Sequence, residues 1–205
     1  REPGLYWAGF VKTRDAWQVA PFDVFKTTTH TSMGDVINLE EQYAGMERLA
    51  PGNEKNIIGV EAHLWSETIK GDIMLQHYML PKLMGFAESA WAKERVWETI
   101  PEQKVREKTM DQDWNVFANT LAKKELPRLK NLHGGYNYRI PTPGGIIRSG
   151  MLYANSTFPG LTIRYTTDGT EPTKNSPVYK EPVAVSGKVV LRAFDTAEKG
   201  SKTIE

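Results

Sequence analysis

The segment Ile57-Ile58-Gly59-Val60-Glu61-Ala62-His63-Leu64-Trp65-Ser66-Glu67 decides the fold that this sequence predicts. Aliphatic residues occupy every second position from Ile58 to Leu64, which is the period of a β-strand with one aliphatic face and one mixed face. A helix is predicted to follow from about Asp72. A strand between a helix layer and a polar interior is typical of an α/β barrel, whose working residues lie at the carboxyl ends of the strands. Trp65 and Glu67 are two residues apart at that end, so their side chains lie on the same face of the strand and we expect them to point into one cavity.

An aromatic ring beside a carboxylate, at the mouth of a pocket, suits a pyranose sugar. The sugar offers a C–H-rich face to the ring, and the carboxylate accepts hydrogen bonds from two neighbouring hydroxyls. The strand pattern alone also fits a second interpretation, in which Trp65 belongs to the core and Glu67 caps the next helix.

Four segments, in the same chain order, resemble the family-twenty β-N-acetylhexosaminidases and chitobiases. Leu64-Trp65-Ser66-Glu67 resembles the Leu-Trp-x-Glu segment on their last barrel strand, and Glu2-Pro3-Gly4-Leu5-Tyr6-Trp7 resembles the segment after their seventh strand. Phe86–Trp91 is similar to the helix that closes their barrel, and Tyr165–Thr173 to the signature of their small C-terminal β domain. The resemblance covers nearly the whole chain.

The resemblance implies a fold of class α/β plus all-β, namely the C-terminal portion of a TIM (β/α)8 barrel followed by a small immunoglobulin-like β-sandwich. It also implies a substrate, either an N-acetylhexosamine-containing glycan or a chitin oligosaccharide. Trp65 and Glu67 then bind the terminal sugar, and Trp7 offers a platform for the sugar beyond the cleavage point; for Trp7 a hydrophobic plug under its loop is the alternative. No metal and no cofactor are implied.

Enzymes of this family cleave with retention, and the substrate's own acetamido oxygen attacks the anomeric carbon. An adjacent Asp-Glu pair orients that group and transfers the proton. No Asp-Glu dipeptide occurs in these 205 residues. We therefore expect the chain to be a C-terminal part that holds no catalytic residue and is inactive alone, and that pairs with the missing part of the barrel or with another copy of the chain.

The chain is predicted to divide into residues 1–135, with one or two barrel strands and several helices, a Pro/Gly-rich linker at 136–143, and a β-sandwich at 144–205. Pro81 is expected to split the helix that starts near Asp72. A second helix is predicted from Gln103 to Leu126. Its expected buried residues are Val105, Phe117 and Leu121, and Lys123 and Lys124 are among the residues expected in solvent.

In residues 144–205 apolar residues tend to occupy every second position, which is the spacing of β-strands. Strands are predicted at 161–166, 183–186 and 189–193, with a hairpin-type turn at Asp168-Gly169. We expect this sandwich to fold without the barrel and to bind no sugar.

Composition narrows the function classes. A net charge of +1 gives no basic excess for nucleic acid, and the absence of cysteine excludes disulfide and thiol chemistry. No apolar run reaches the length of a membrane span. Arg1-Glu2-Pro3-Gly4 is typical of the middle of a protein, and the resemblance implies a periplasmic or secreted parent whose signal lies upstream.

Two other functions stay open at this point. In one, Glu67 is a direct catalyst of another barrel glycosidase, with Glu61 or Glu2 as its second carboxylate. In the other, the chain is a non-catalytic carbohydrate-binding or structural module.

Overall fold

The computed structural model of the chain describes residues 5–6, 12–27, 35–64 and 66–205. The chain forms two compact units, Arg1–Gln112 and Asp113–Glu205, and the point of division lies inside one long helix, Gln103–Thr120. Among the described residues, no helix is long and apolar enough to cross a membrane.

The first unit combines two short parallel strands with several helices. The strands are β1 (Leu5–Tyr6) and β2 (Ala62–His63). The helices are α1 (Thr13–Trp17), α2 (Leu39–Gln42), α3 (Gly71–Met79), α4 (Lys82–Trp91) and the start of α5 (Gln103–Thr120). Short 3-10 turns occur at Val24–Lys26, Glu54–Asn56 and Val96–Thr99.

The strand predicted over residues 57–65 is much shorter in the structure. Only Ala62 and His63 are paired, with Leu5 and Tyr6, and residues 57–61 carry no strand. Ile58, expected on the aliphatic face under a helix layer, is 100% exposed. A strand exists only where a neighbour satisfies its backbone groups, and the described partner is two residues long.

Helices α3 and α4 are separated at Pro81, as predicted. The buried residues of α4 are Lys82, Gly85 and Ser89, and none of them is a large apolar residue. Gly85 and Ser89 face α1: a Cβ on Gly85 would lie 2.6 Å from the Thr13 carbonyl oxygen, and the Ser89 hydroxyl donates to the Ala16 carbonyl at 2.9 Å. The small residues therefore let two helices approach closely, a requirement that a search for large apolar residues overlooks.

The second unit begins with the rest of α5, which continues through a π-helical segment, Leu121–Glu125, into α6 (Leu126–Leu129). The predicted start at Gln103 and the exposure of Lys123 and Lys124 are confirmed. The prediction that Val105 is buried is wrong, because this residue is 51% exposed. The buried positions of this stretch are Trp114, Ala118, Leu121, Ala122, Leu126 and Leu129.

Two small antiparallel sheets complete this unit. One has the order β3 (Gly144–Arg148), β4 (Met151–Asn155), β6 (Val183–Ala184); the other pairs β5 (Thr162–Thr166) with β7 (Val190–Phe194). Leu152, Ile163 and Leu191 form the core between them. The strands predicted near 161–166, 183–186 and 189–193 are therefore confirmed.

The chain reverses after Asp168-Gly169, as predicted, and returns antiparallel to β5 in an isolated bridge between Arg164 and Val178. β5 pairs with β7 across a long connection, and the next strand along the chain pairs with β4 instead. The tight hairpin is β3–β4, which sequence reasoning missed, and it closes at Ser149 and Gly150, both with positive φ. Turn residues mark where a chain reverses, but they do not decide which strand it reaches.

Residues that precede the strands of this unit pack directly on its strands and loops. The Trp114 indole donates to the Thr157 carbonyl at 3.1 Å, and its ring meets Phe158 edge-on. The Tyr138 hydroxyl donates to the Asp195 carboxylate at 2.5 Å in a buried contact, and burial together with that carboxylate raises the pKa of Tyr138. Tyr138 lies inside the linker predicted at 136–143, whose boundaries stay a prediction.

Candidate functional site

The parallel pairing of β1 and β2 brings two predicted site segments to one edge. Leu5 pairs with Ala62 and Tyr6 with His63, so the carboxyl ends of both strands lie side by side. Trp7 is the next residue after Tyr6 in the chain, and the Leu64–Glu67 segment follows His63. In parallel α/β structures this edge is where ligands bind.

Glu67 lies in a tight turn just past that edge. The Ile69 amide donates to the Ser66 carbonyl at 3.0 Å, which closes a four-residue turn with Glu67 at its second position. The side chain is exposed, and within the described part of the chain its carboxylate has no ion-pair partner. A carboxylate presented in this way is available to accept hydrogen bonds from hydroxyl groups.

Trp7 and Trp65 lie outside the described residues. Glu67 is thus the one predicted substrate-binding residue that the structure places. Glu2, the first of the two carboxylates considered as a partner for Glu67, also lies outside the described residues.

Glu61, the second such carboxylate, forms an exposed pair with His63. The His63 Nε2 to Glu61 Oε1 distance is 3.0 Å, and residues two apart along an extended chain point to the same side. Glu61 precedes β2 while Glu67 follows it, so the two carboxylates stand on opposite ends of this strand.

Arg95, a polar residue with several partners among the described residues of this unit, was not singled out from the sequence. Its guanidinium bonds the Glu98 carboxylate and the carbonyls of Trp17 and Val19, each at 2.5 Å. It also lies over the Trp97 ring, 4.3 Å from the centroid. A planar guanidinium is suited to this combination of forked hydrogen bonds and ring stacking. Trp17 itself, conspicuous in the sequence, is a core residue with 1% exposure.

Burial dominates the electrostatics of this cluster. Arg95 and Glu98 are each 8% exposed at the side chain. Loss of water raises the pKa of Glu98 above its ordinary value, although the Arg95 guanidinium opposes that change. The Arg-x-x-Glu spacing next to Trp97 is the sequence signal that could have indicated this pair, but it was not used.

The Arg95 cluster and the segment that leads into β2 line the same cavity. A cavity of about 170 Å³ is lined by Arg95, Glu98 and Ser89 on one side and by residues 57–60 on the other. It lies before β2 in the chain, whereas Glu67 lies after it. In a barrel that end of a strand serves stability, so we interpret Arg95 as structural support rather than as a ligand-binding group.

Within the described residues, no group of three or more His, Cys, Asp or Glu side chains is arranged to hold a metal ion.

Two family models match the chain in succession. The glycosyl hydrolase family 20 catalytic domain matches residues 3–94, and the chitobiase/beta-hexosaminidase C-terminal domain matches residues 125–203. The second match begins within the helical segment before α6, upstream of the strands.

Curated relatives carry the same pair of names. The chain is 30% identical to an N,N'-diacetylchitobiase of Vibrio harveyi, with 98% of the chain and 23% of the relative covered. It is 28% identical to a beta-hexosaminidase of Vibrio vulnificus over 100% of the chain and 25% of the relative. A beta-N-acetylhexosaminidase of Cellulomonas fimi is 30% identical over 59% of the chain and 16% of the relative.

The chain therefore spans about a quarter of the length of the first two relatives. Its two halves match two domains of one protein family, in the order in which the sequence resemblance placed them. Residues 3–94 belong to the catalytic domain of glycosyl hydrolase family 20, and residues 125–203 belong to the C-terminal domain of the chitobiases and β-hexosaminidases.

Proposed function

We propose that this chain is the C-terminal part of a β-N-acetylhexosaminidase, a glycoside hydrolase that removes terminal non-reducing N-acetylhexosamine from glycans or chitin oligosaccharides. The observation that carries the proposal is the succession of the two family matches along one chain. The parallel strands that end beside the Leu64–Glu67 segment are consistent with it.

Glu67 is proposed to bind the terminal sugar, accepting hydrogen bonds from its C4 and C6 hydroxyls. An exposed carboxylate at a tight turn can reach two neighbouring hydroxyls at once. Trp65 is proposed to wall the same subsite, and Trp7 to support the sugar beyond the cleavage point.

The reaction is proposed to be retaining and assisted by the substrate's acetamido group. That mechanism requires an Asp-Glu pair, and this chain contains no such dipeptide. The chain by itself is therefore proposed to be inactive, with the pair supplied by the rest of the parent protein. The parent is further proposed to be periplasmic or secreted, and the two-sheet C-terminal domain to be immunoglobulin-like.

The test is the substitution Glu67→Gln in the parent enzyme, assayed on a chromogenic N-acetylglucosaminide. Losing a charge-assisted acceptor costs about 1.5–3 kcal/mol, so kcat/KM should fall by roughly 10–150-fold. Glu61→Gln is the matched control, because it removes an exposed carboxylate at the other end of β2 and should leave kcat/KM within about twofold.

A loss of all activity on Glu67→Gln would instead support Glu67 as the catalyst of another barrel glycosidase. If the parent protein binds chitin oligosaccharides but cleaves none, the non-catalytic module is the right function. Measurable hydrolysis by the 205-residue chain alone would overturn the proposed division of the site.

A further inference from the structure

The connection that leaves β5 contains the dipeptide Asp168-Gly169, in which both the Asp168 carboxyl group and the Gly169 backbone N–H are hydrogen-bonded. The Asp168 Oδ1 atom accepts the Thr170 amide at 3.0 Å and the Thr170 hydroxyl at 2.6 Å. The Gly169 amide donates to the Lys188 carbonyl at 2.9 Å. Gly169 has φ +81°, a conformation that favours glycine.

Asp-Gly is the dipeptide in which an aspartate most readily forms a succinimide, because glycine has no Cβ to hinder its backbone nitrogen. The Gly169 nitrogen would form a bond to the Asp168 Cγ, and one carboxyl oxygen would leave as water with the amide proton and a proton from solvent or the carboxyl group. Water then opens the ring at either carbonyl and yields aspartate or isoaspartate. The reaction needs no oxidant, reductant or other partner.

We propose that Asp168-Gly169 is a latent isoaspartate site that the Thr170 hydroxyl and the Lys188 carbonyl hold unreacted. The nucleophilic nitrogen must first release Lys188, and the carboxyl group must turn away from Thr170, before the bond can form. Both hydrogen bonds belong to the folded turn, so the reaction requires local opening.

The negative charge of the Asp168 carboxylate also slows succinimide formation. Hydrogen bonds from the Thr170 side chain and amide lower the pKa of Asp168. An ionised carboxylate is a poor electrophile, since its departing oxygen must be protonated.

The turn has little room for the product. Isoaspartate lengthens the backbone by one methylene, and the neighbouring chain is already close, because a Cβ on Gly187 would lie 2.5 Å from the Thr167 carbonyl oxygen. Isomerisation at Asp168 would therefore disrupt the connection between β5 and β7.

The experiment incubates the full 205-residue chain at neutral pH and physiological temperature and quantifies isoaspartate at residue 168 by peptide mapping with electron-transfer mass spectrometry. A synthetic peptide of residues 164–173 is the unfolded reference. Isoaspartate in the chain should accumulate about tenfold more slowly than in the peptide, and Thr170→Val should raise the rate in the chain about tenfold. Thr203→Val, the same change at an exposed threonine, should leave the rate unchanged.

A second variant keeps the test valid if Thr170→Val reduces the folded population, which circular dichroism would report. Asp168→Asn retains the acceptor oxygen, and its deamidation is followed by mass; in the folded chain it should be about tenfold slower than in the matching peptide. The proposal is overturned if the wild-type chain or Asp168→Asn reacts at the peptide rate. It is equally overturned if a folded Thr170→Val variant reacts as slowly as the wild type.

Discussion

At the residue scale, the buried pair of Arg95 and Glu98 controls the stability of the first unit. Replacing Arg95 by Met would leave the Glu98 carboxylate without its charge partner, and removing one member of a buried pair costs about 3–5 kcal/mol. We expect the free energy of unfolding, measured in urea by tryptophan fluorescence, to fall by about that amount.

The chain offers a matched control for this substitution. Arg128 and Glu125 have the same three-residue spacing, but their side chains are 69% and 35% exposed. Arg128→Met should change the free energy of unfolding by less than about 1 kcal/mol. Equal effects of the two substitutions would show that burial of the Arg95 pair carries no extra stability.

Glu98 also predicts a dependence of stability on pH. Burial raises its folded pKa above the ordinary value of 4.5, so the folded unit binds the proton more tightly than the unfolded chain does. The resulting stabilisation is complete below about 4.5 and is lost as the pH rises through the folded pKa. The stability of the wild type relative to Glu98→Gln should therefore decrease from acid to neutral pH in urea titrations. An increase over that range would mean that Arg95 outweighs burial.

At the element scale, the contact between α1 and α4 depends on Gly85. In an isolated helix Gly85→Ala would be favourable by about 1 kcal/mol. Here the new Cβ would lie 2.6 Å from the Thr13 carbonyl oxygen and 3.2 Å from the Trp17 Cβ, so the helices would have to separate. Overpacking of this kind costs about 1–3 kcal/mol, and the thermal midpoint of the first unit should fall.

The control is Gly59→Ala, at a glycine whose added Cβ would meet no atom within 4 Å. Its effect on the thermal midpoint should be close to zero. A stabilising Gly85→Ala would show that α1 and α4 are less tightly packed than these distances indicate.

At the scale of the whole molecule, the strands of the second unit depend on residues that precede them in the chain. Trp114 covers Phe158, and Tyr138 satisfies the buried Asp195 carboxylate. A fragment of residues 113–205 should therefore unfold cooperatively, whereas residues 144–205 alone should be less stable by several kcal/mol, since both buried groups lose their partners. Urea titrations followed by circular dichroism compare the two fragments.

The same comparison tests the domain boundary predicted at 136–143. If residues 144–205 are as stable as the longer fragment, the predicted boundary is right and the helix is an attachment. If only the longer fragment folds, the domain starts upstream of the linker, nearer to the point where the C-terminal family match begins.

Local patterns in the sequence were sufficient for several elements. Pro81 divides two helices because it cannot continue a helical hydrogen-bond ladder, and the long helix begins at the predicted Gln103. The period of two in the last third predicted three of the five strands there. Short motifs were sufficient to identify the family, since Leu64–Glu67 and Tyr165–Thr173 are recognisable without knowledge of the fold.

The sequence by itself thus determined the family, the order of the domains, the division of two helices at Pro81 and the start of the long helix at Gln103, because each depends on neighbouring residues. Only the tertiary structure decided that β5 reaches β7, that Gly85 faces α1, and that Arg95 joins Glu98 to the carbonyls of Trp17 and Val19. Those contacts join residues far apart in the chain. Their energies depend on burial and on close approach, and neither can be predicted from the local spacing of residue types.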